Sequence, residues 1–235
     1  MSAVRPVAWH TAGLLLLTLA TGIIDATSYL ALDRVFTGNM TGNVLFIGFA
    51  ATGVPGIPLL NNTLALVGFF VGAVIGSRTI GKVKPVSLPR TAVWVLVATA
   101  VITFGSDVFW HVTGEINQAE MITMTTLLAG CMGAQVAAVK PIGNADITTV
   151  VVTSTIANLA RESRLAGHGQ PSHVWRHRAG AIAAMGAGAA IGALAIKVSG
   201  GPLSLIVAGV AGVAALAALV VGTRKLATSE ASAAA

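Results

Sequence analysis

From Val35 to Ser77 the chain runs without a single Lys, Arg, Asp or Glu. A charged side chain costs about 2.5–3.5 kcal/mol at the centre of a membrane-inserted helix. A run this long without one suits a bilayer and cannot build a water-facing surface. Across the whole chain of 235 residues, 55% are hydrophobic and 9% charged, against roughly 25% charged in a soluble domain. The apolar content excludes a disordered chain. The single cysteine, Cys131, excludes a disulfide-stapled secreted scaffold. The lipid bilayer is therefore the expected partner, and the chain is expected to be an all-α polytopic membrane protein.

The breaks between charge-poor runs map the segments. A first long one covers about 7–32, interrupted only by Asp25. The run after Val35 is divided by Gly53, Pro55, Gly56, Pro58, Asn61 and Asn62 into a short piece, 40–52, and a long one, about 63–81. Further long segments fall near 91–110, 121–139, 179–196 and 203–222, with a second short piece at 147–160. Arg5 and the apolar stretch behind it do not make a cleaved signal peptide. Ala20, Gly22 and Ala26 form no A-x-A site, and the apolar pattern runs on to Leu32.

The order long, short, long, long occurs twice. A shift of 112 residues superposes all eight segments, placing Gly68 on Gly180, Gly72 on Ala184 and Gly76 on Gly188. This predicts a first repeat over 1–112, a second over 113–225 and a disordered tail over 226–235. Charge then separates two topologies. If all eight segments crossed, Arg78, Lys82, Lys84 and Arg90 would face the opposite side from Arg161, Arg164, Arg176 and Arg178, against the positive-inside rule. If each short piece re-enters on its own side, both basic loops share a side with Arg5, Lys140, Arg224 and Lys225. Only Arg34 and Lys197 are then misplaced. Length agrees: 13 or 14 residues span roughly 20 Å of helix, against a hydrocarbon core of about 30 Å. The reading is a helical bundle of two inverted repeats, about six crossings and two re-entrant or broken segments, with both termini cytoplasmic. The net charge of +6 then belongs to cytoplasmic loops, and no nucleic-acid partner is expected.

Paired short segments in inverted halves point to a transport site near the midplane. Asp25, an acid inside an apolar helix, is by default a functional-site residue. It lies beside Val35-Phe36-Thr37-Gly38-Asn39-Met40-Thr41-Gly42-Asn43, where Thr and Asn supply hydroxyl and amide groups and Gly allows close approach. Two readings stand: Asp25 binds a solute or proton, or it only staples the helix start. Asn39, Thr41, Gly42 and Asn43 are expected to shape the site from one half, and Thr153, Ser154 and Thr155 from the other. Gln135 and Lys140 complete the polar set, and Asp146 reads as a helix cap.

The Asp-Ala pair and the Phe-x-x-Asn-Met-Thr-Gly-Asn run resemble the YoaK-like family of bacterial transmembrane proteins, a domain of unknown function. The residues carrying the resemblance are Gly22, Asp25, Ala26, Phe36, Asn39, Met40, Thr41, Gly42 and Asn43. It extends over nearly the whole chain and implies a bacterial inner-membrane location, with no established substrate. Thr153-Ser154 stands where the family often has Thr-Gly.

Gly68, Gly72 and Gly76 form a small-x-x-x-small stripe, suited either to contact between the halves or to a homo-oligomer face. His168, His173 and His177 lack an acid or cysteine partner and sit in a basic loop, so a metal site is not expected. No Walker loop, nucleophile elbow or paired-carboxylate site appears. The expected function is non-enzymatic and cofactor-free: a transporter or channel for a small solute or ion, proton-coupled if Asp25 titrates. A non-transporting assembly or sensor partner is the alternative.

Overall fold

The computed structural model describes residues 4–82, 88–142, 152–163, 166–167 and 172–234. These form α1 (Val4–Ala31), α2 (Met40–Ala51), α3 (Leu59–Ile80), α4 (Arg90–Thr113), α5 (Gln118–Val139), α6 (Val152–Arg161), α7 (Ser172–Ser199) and α8 (Pro202–Ala234), with a 3₁₀ turn at Lys140–Ile142. All the secondary structure described is helical. Six helices are long and apolar enough to cross a bilayer, and α2 and α6 are not. Local sequence sets their ends. Asn117 and Glu120 close a reciprocal cap on α5, and Gly81 and Gly114 end α3 and α4 with φ of 66° and 74°. Pro202 opens α8, where its missing N–H costs nothing.

One boundary differs from expectation. The second short segment is helical over Val152–Arg161, and its residues 147–151, like Asp146 and His168, lie outside the described residues. α8 stays helical to Ala234 where a disordered tail was expected from 226. The stretch that extends it is rich in alanine, the strongest helix former.

The outer surface is apolar. Phe70, Trp94, Val101, Val112 and Leu194 are each more than 60% exposed, which a bilayer accommodates and water would not. The core has two levels. One joins Leu14, Ile80, Leu88, Ile142, Ala181 and Leu219, and so gathers one end of α1, α3, α4, α5, α7 and α8. The other joins Ile23, Leu32, Trp110, Met124, Leu128 and Leu205. The starts of α1 and α4, the ends of α3 and α5 and the late part of α8 therefore lie together. The N- and C-terminal helices meet there: His10 Nε2 is 3.1 Å from Thr223 Oγ1, and Lys225 lies over Trp9.

Packing runs across the chain's two halves. α1 packs on α7 and α8, α5 on α3 and α4, α4 on α8, α2 on α3, and α6 on α7. Exchanging α1–α4 with α5–α8, in order, returns the same pairs. Small residues bring the crossing helices close. Gly68, Gly72 and Gly76 lie against Thr126, Gly130 and Ala134 of α5, while Gly22, Gly188 and Gly192 seat α1 on α7. A Cβ on Gly72 would overlap the Gly130 carbonyl. This corrects the homo-oligomer reading of Gly68, Gly72 and Gly76: α5 of the same chain already covers that stripe.

Candidate functional site

The site begins where α1 ends. Beyond Ala31 the chain turns through Asp33 and Arg34, both left-handed with φ of 69° and 55°, and folds back along α1. Asp25 draws it in. Its Oδ1 accepts hydrogen bonds from the Thr37 N–H (2.9 Å), the Gly38 N–H (2.7 Å) and the Thr37 hydroxyl (3.1 Å). Gly38 approaches so closely that a Cβ there would lie 2.7 Å from the Thr21 methyl and 3.3 Å from Asp25 Oδ2. At 1.5 Å per residue, Thr21 is about 15 Å back from the end of α1, roughly half the hydrocarbon thickness. The loop thus reaches the middle of the bundle before α2 begins.

The Asn-Met-Thr-Gly-Asn run then builds the turn. Asn39 caps α2 through the Gly42 N–H. Asn43 is fully buried, and its amide grips both sides of Phe36: Oδ1 accepts from the Phe36 N–H (2.9 Å) and Nδ2 donates to the Phe36 carbonyl (2.6 Å). A Cβ on Gly42 would sit 2.7 Å from the Phe36 ring, and that ring packs in a triangle with Tyr29 and Phe46, at 4.9 and 6.1 Å, the last two also 6.1 Å apart. Thr41 is exposed. Asn43 and Gly42 are therefore occupied in holding the loop.

α2 does not carry the chain across. Asn61, in the first turn of α3, donates to Asp33 just beyond α1 (3.4 Å) and accepts from Thr125 of α5 (2.6 Å). The end of α1 and the start of α3 thus lie at one end of the bundle, with α2 between them in the chain.

Around the α2 start the polar groups converge. Asp25 is 5% exposed and its Oδ2 has no hydrogen-bond partner. One turn earlier on the same face, Thr21 donates to the Leu17 carbonyl (2.9 Å) and is 3.4 Å from Gln135 Nε2 of α5. Gln135 also lines a cavity of about 20 Å³ between α1, α4, α5 and α8, with Thr99 and Thr103 in its wall, room for about one water. Both threonines donate back to their own helix, so towards the cavity they offer lone pairs.

The residues expected from the second half are placed differently. Thr153 and Ser154 are exposed on α6 and Thr155 is buried. α6 packs chiefly on α7, as α2 does on α3. The second half contributes Gln135 instead. Asp107 of α4, which the sequence reading passed over, is also buried, with Oδ1 unpartnered. Its signal was the one that marked Asp25: an acid inside an apolar run. Beyond the spans, Glu162 bonds Arg178 and Arg161, and these guanidiniums hold its carboxyl below the usual range.

A family model described as a protein of unknown function (DUF1275) matches residues 13–220, from the first turns of α1 to late α8. The chain belongs to this family. It is also similar to the UPF0700 transmembrane protein YoaK of Bacillus subtilis (strain 168), with 34% identity over 155 residues, 66% of this chain and 68% of that protein. No solved structure matches. The resemblance drawn from Asp25 and the Asn39–Asn43 run thus holds for this DUF1275 chain, a multi-pass membrane protein of a family with no assigned function.

Proposed function

We propose that this DUF1275 protein is a transporter or channel-like protein for a small solute or ion, working without enzymatic chemistry or cofactor and coupled to protons through Asp25. The observation that carries the reading is the re-entrant loop. It spends a fully buried Asn, a three-bonded carboxylate and an aromatic stack on bringing a helix start to mid-depth, beside a carboxylate oxygen that has no partner. Irregular backbone at that depth is tolerated where it is covered by protein or lines a cavity, and here a small cavity, mostly apolar but with Thr99 and Thr103 in its wall, lies beyond Gln135. The exchangeable set of helix pairs supports a duplicated chain, and re-entry of α2 supports insertion of its halves in opposite directions. Gathering Arg78, Arg90, Lys140 and Arg224 at one end supports cytoplasmic termini by the positive-inside rule.

The competing reading, a non-transporting assembly or sensor partner, draws on the same hydrogen bonds, since Asp25 Oδ1 and Asn43 are satisfied within the protein. Asn39→Cys in a Cys131→Ala background separates the two. Reaction with a membrane-impermeant thiol reagent is expected for a hydrated path, and complete protection would favour the partner role. The coupling itself is read in proteoliposomes carrying a pH dye, where Asp25→Asn is expected to abolish proton movement. Unchanged movement would remove Asp25 from the mechanism.

A further inference from the structure

α4 and α5 part at the end joined by their connecting loop, leaving a groove of about 480 Å³, within the range of small-molecule sites. Its wall is apolar: Ile102, Phe109, Met124 and Leu127, with Gly105 opening onto free space. Its rim carries one carboxylate. Glu120, whose Oε2 accepts the Asn117 N–H (2.8 Å) in the α5 cap, lines the groove beside the loop with Asn117, and none of the lining residues is basic. The next residue after Ser106 is the buried Asp107, whose Oδ1 has no hydrogen-bond partner.

The gap is not a general consequence of how these helices pair. The pair that exchanges with α4–α5 is α1–α8, and that seam is shut. A Cβ on Gly13 would lie 2.6 Å from the Leu219 side chain and one on Gly222 2.6 Å from the His10 ring. His10 meets Thr223 at one end of the seam, and Thr27 donates to Ser204 (2.8 Å) at the other. The opening between α4 and α5 is a departure confined to one of two matched seams.

We propose that the α4–α5 groove is a binding site for an organic cation with an apolar body, which lies against Ile102, Met124 and Leu127 while its charge faces Glu120. An apolar wall alone would take any lipid tail; the carboxylate at its rim sets the sign of the charge. This site stands apart from the transport reading, because neither Asp25 nor the re-entrant loop contributes to it.

Tetraphenylphosphonium and tetraphenylborate have the same shape and opposite charge. With protein in nanodiscs, and empty nanodiscs subtracted, radiolabelled tetraphenylphosphonium is expected to bind saturably, and radiolabelled tetraphenylborate, assayed separately because the two ions precipitate together, is expected not to. Gly105→Leu fills the groove at a position with open space and better helix propensity, so it folds and is expected to weaken binding at least tenfold. Gly186→Leu, equally open on α7, is expected to leave binding unchanged. Glu120→Gln retains the reciprocal cap and is expected to weaken binding by about fivefold, the scale of a partly exposed charge pair. Equally strong saturable binding of tetraphenylborate would mean a lipid-tail groove and overturn the proposal. An undiminished Gly105→Leu variant, or no saturable binding, would overturn it too.

Discussion

Asp25 is asked to do two things, and two substitutions separate them. Its Oδ1 holds the re-entrant loop through two backbone N–H groups and a hydroxyl, while Oδ2 is unpartnered. Asp25→Asn keeps an acceptor in the Oδ1 position and puts an amide where Oδ2 was. The loop therefore stays docked, and the stability change is expected to be within about 1 kcal/mol, the scale of one neutral hydrogen bond. Asp25→Ala removes the acceptor. The Thr37 hydroxyl can turn to another partner, but two buried N–H groups are orphaned at about 1–3 kcal/mol each, giving a loss of roughly 2–6 kcal/mol. Thermal unfolding of the two purified variants, with the wild type as reference, reads the difference. A second readout is proteolytic sensitivity of the loop, expected to rise for Asp25→Ala alone. If Asp25→Ala proved as stable as the wild type, or Asp25→Asn as unstable as Asp25→Ala, the docking role of Oδ1 would be refuted.

Other consequences follow from packing and charge. Gly72→Ala drives a methyl into the Gly130 carbonyl, so α3 and α5 must separate, at a cost of about 1–3 kcal/mol or more, measurable as a lowered midpoint in thermal unfolding. In Gly42→Ala the new methyl displaces the Phe36 ring, and the stack with Tyr29 loosens; quenching of Tyr29 fluorescence in a tryptophan-free background is expected to change, and an unaltered signal would count against the stack. Arg34→Gly relieves a left-handed residue and is expected to stabilise the turn by up to about 1 kcal/mol. Because Arg178 and Arg161 depress the Glu162 carboxyl, the contact between the end of α6 and α7 is complete above the ordinary carboxylate range. It is lost only as pH falls through the lowered value. The mobility of a spin label attached at neutral pH to an Ala160→Cys variant is therefore expected to stay flat at neutral pH and to rise on acidification.

The bilayer architecture was legible because it follows from additive quantities. Segment length and the cost of each charge located the six helices that are long and apolar enough to cross a bilayer. Asp25 was legible for the same reason, since a buried acid is expensive wherever the helix goes. What each polar residue touches was not legible. Asn43 offers the same amide to a solute as to a backbone, and only the fold shows that Phe36 occupies it. Repeat logic made Thr153–Thr155 the counterparts of the first short helix, yet the polar partner from the second half is Gln135, which faces Thr21 because α1 and α5 are neighbours in the core. The Gly68–Gly72–Gly76 stripe announced a close helix contact without saying with which helix.

The central claim is that the short helices enter and leave on one side, bringing a helix start to mid-depth beside Asp25. Single cysteines at Arg5, at the start of α1, Lys82, after α3, and Gly167, after α6, test it most directly in a Cys131→Ala background. With a membrane-impermeant reagent on intact cells and on inverted vesicles, all three are expected to react from the cytoplasmic side only. Labelling of Arg5→Cys and Lys82→Cys from opposite sides, or of Lys82→Cys and Gly167→Cys from opposite sides, would contradict the account.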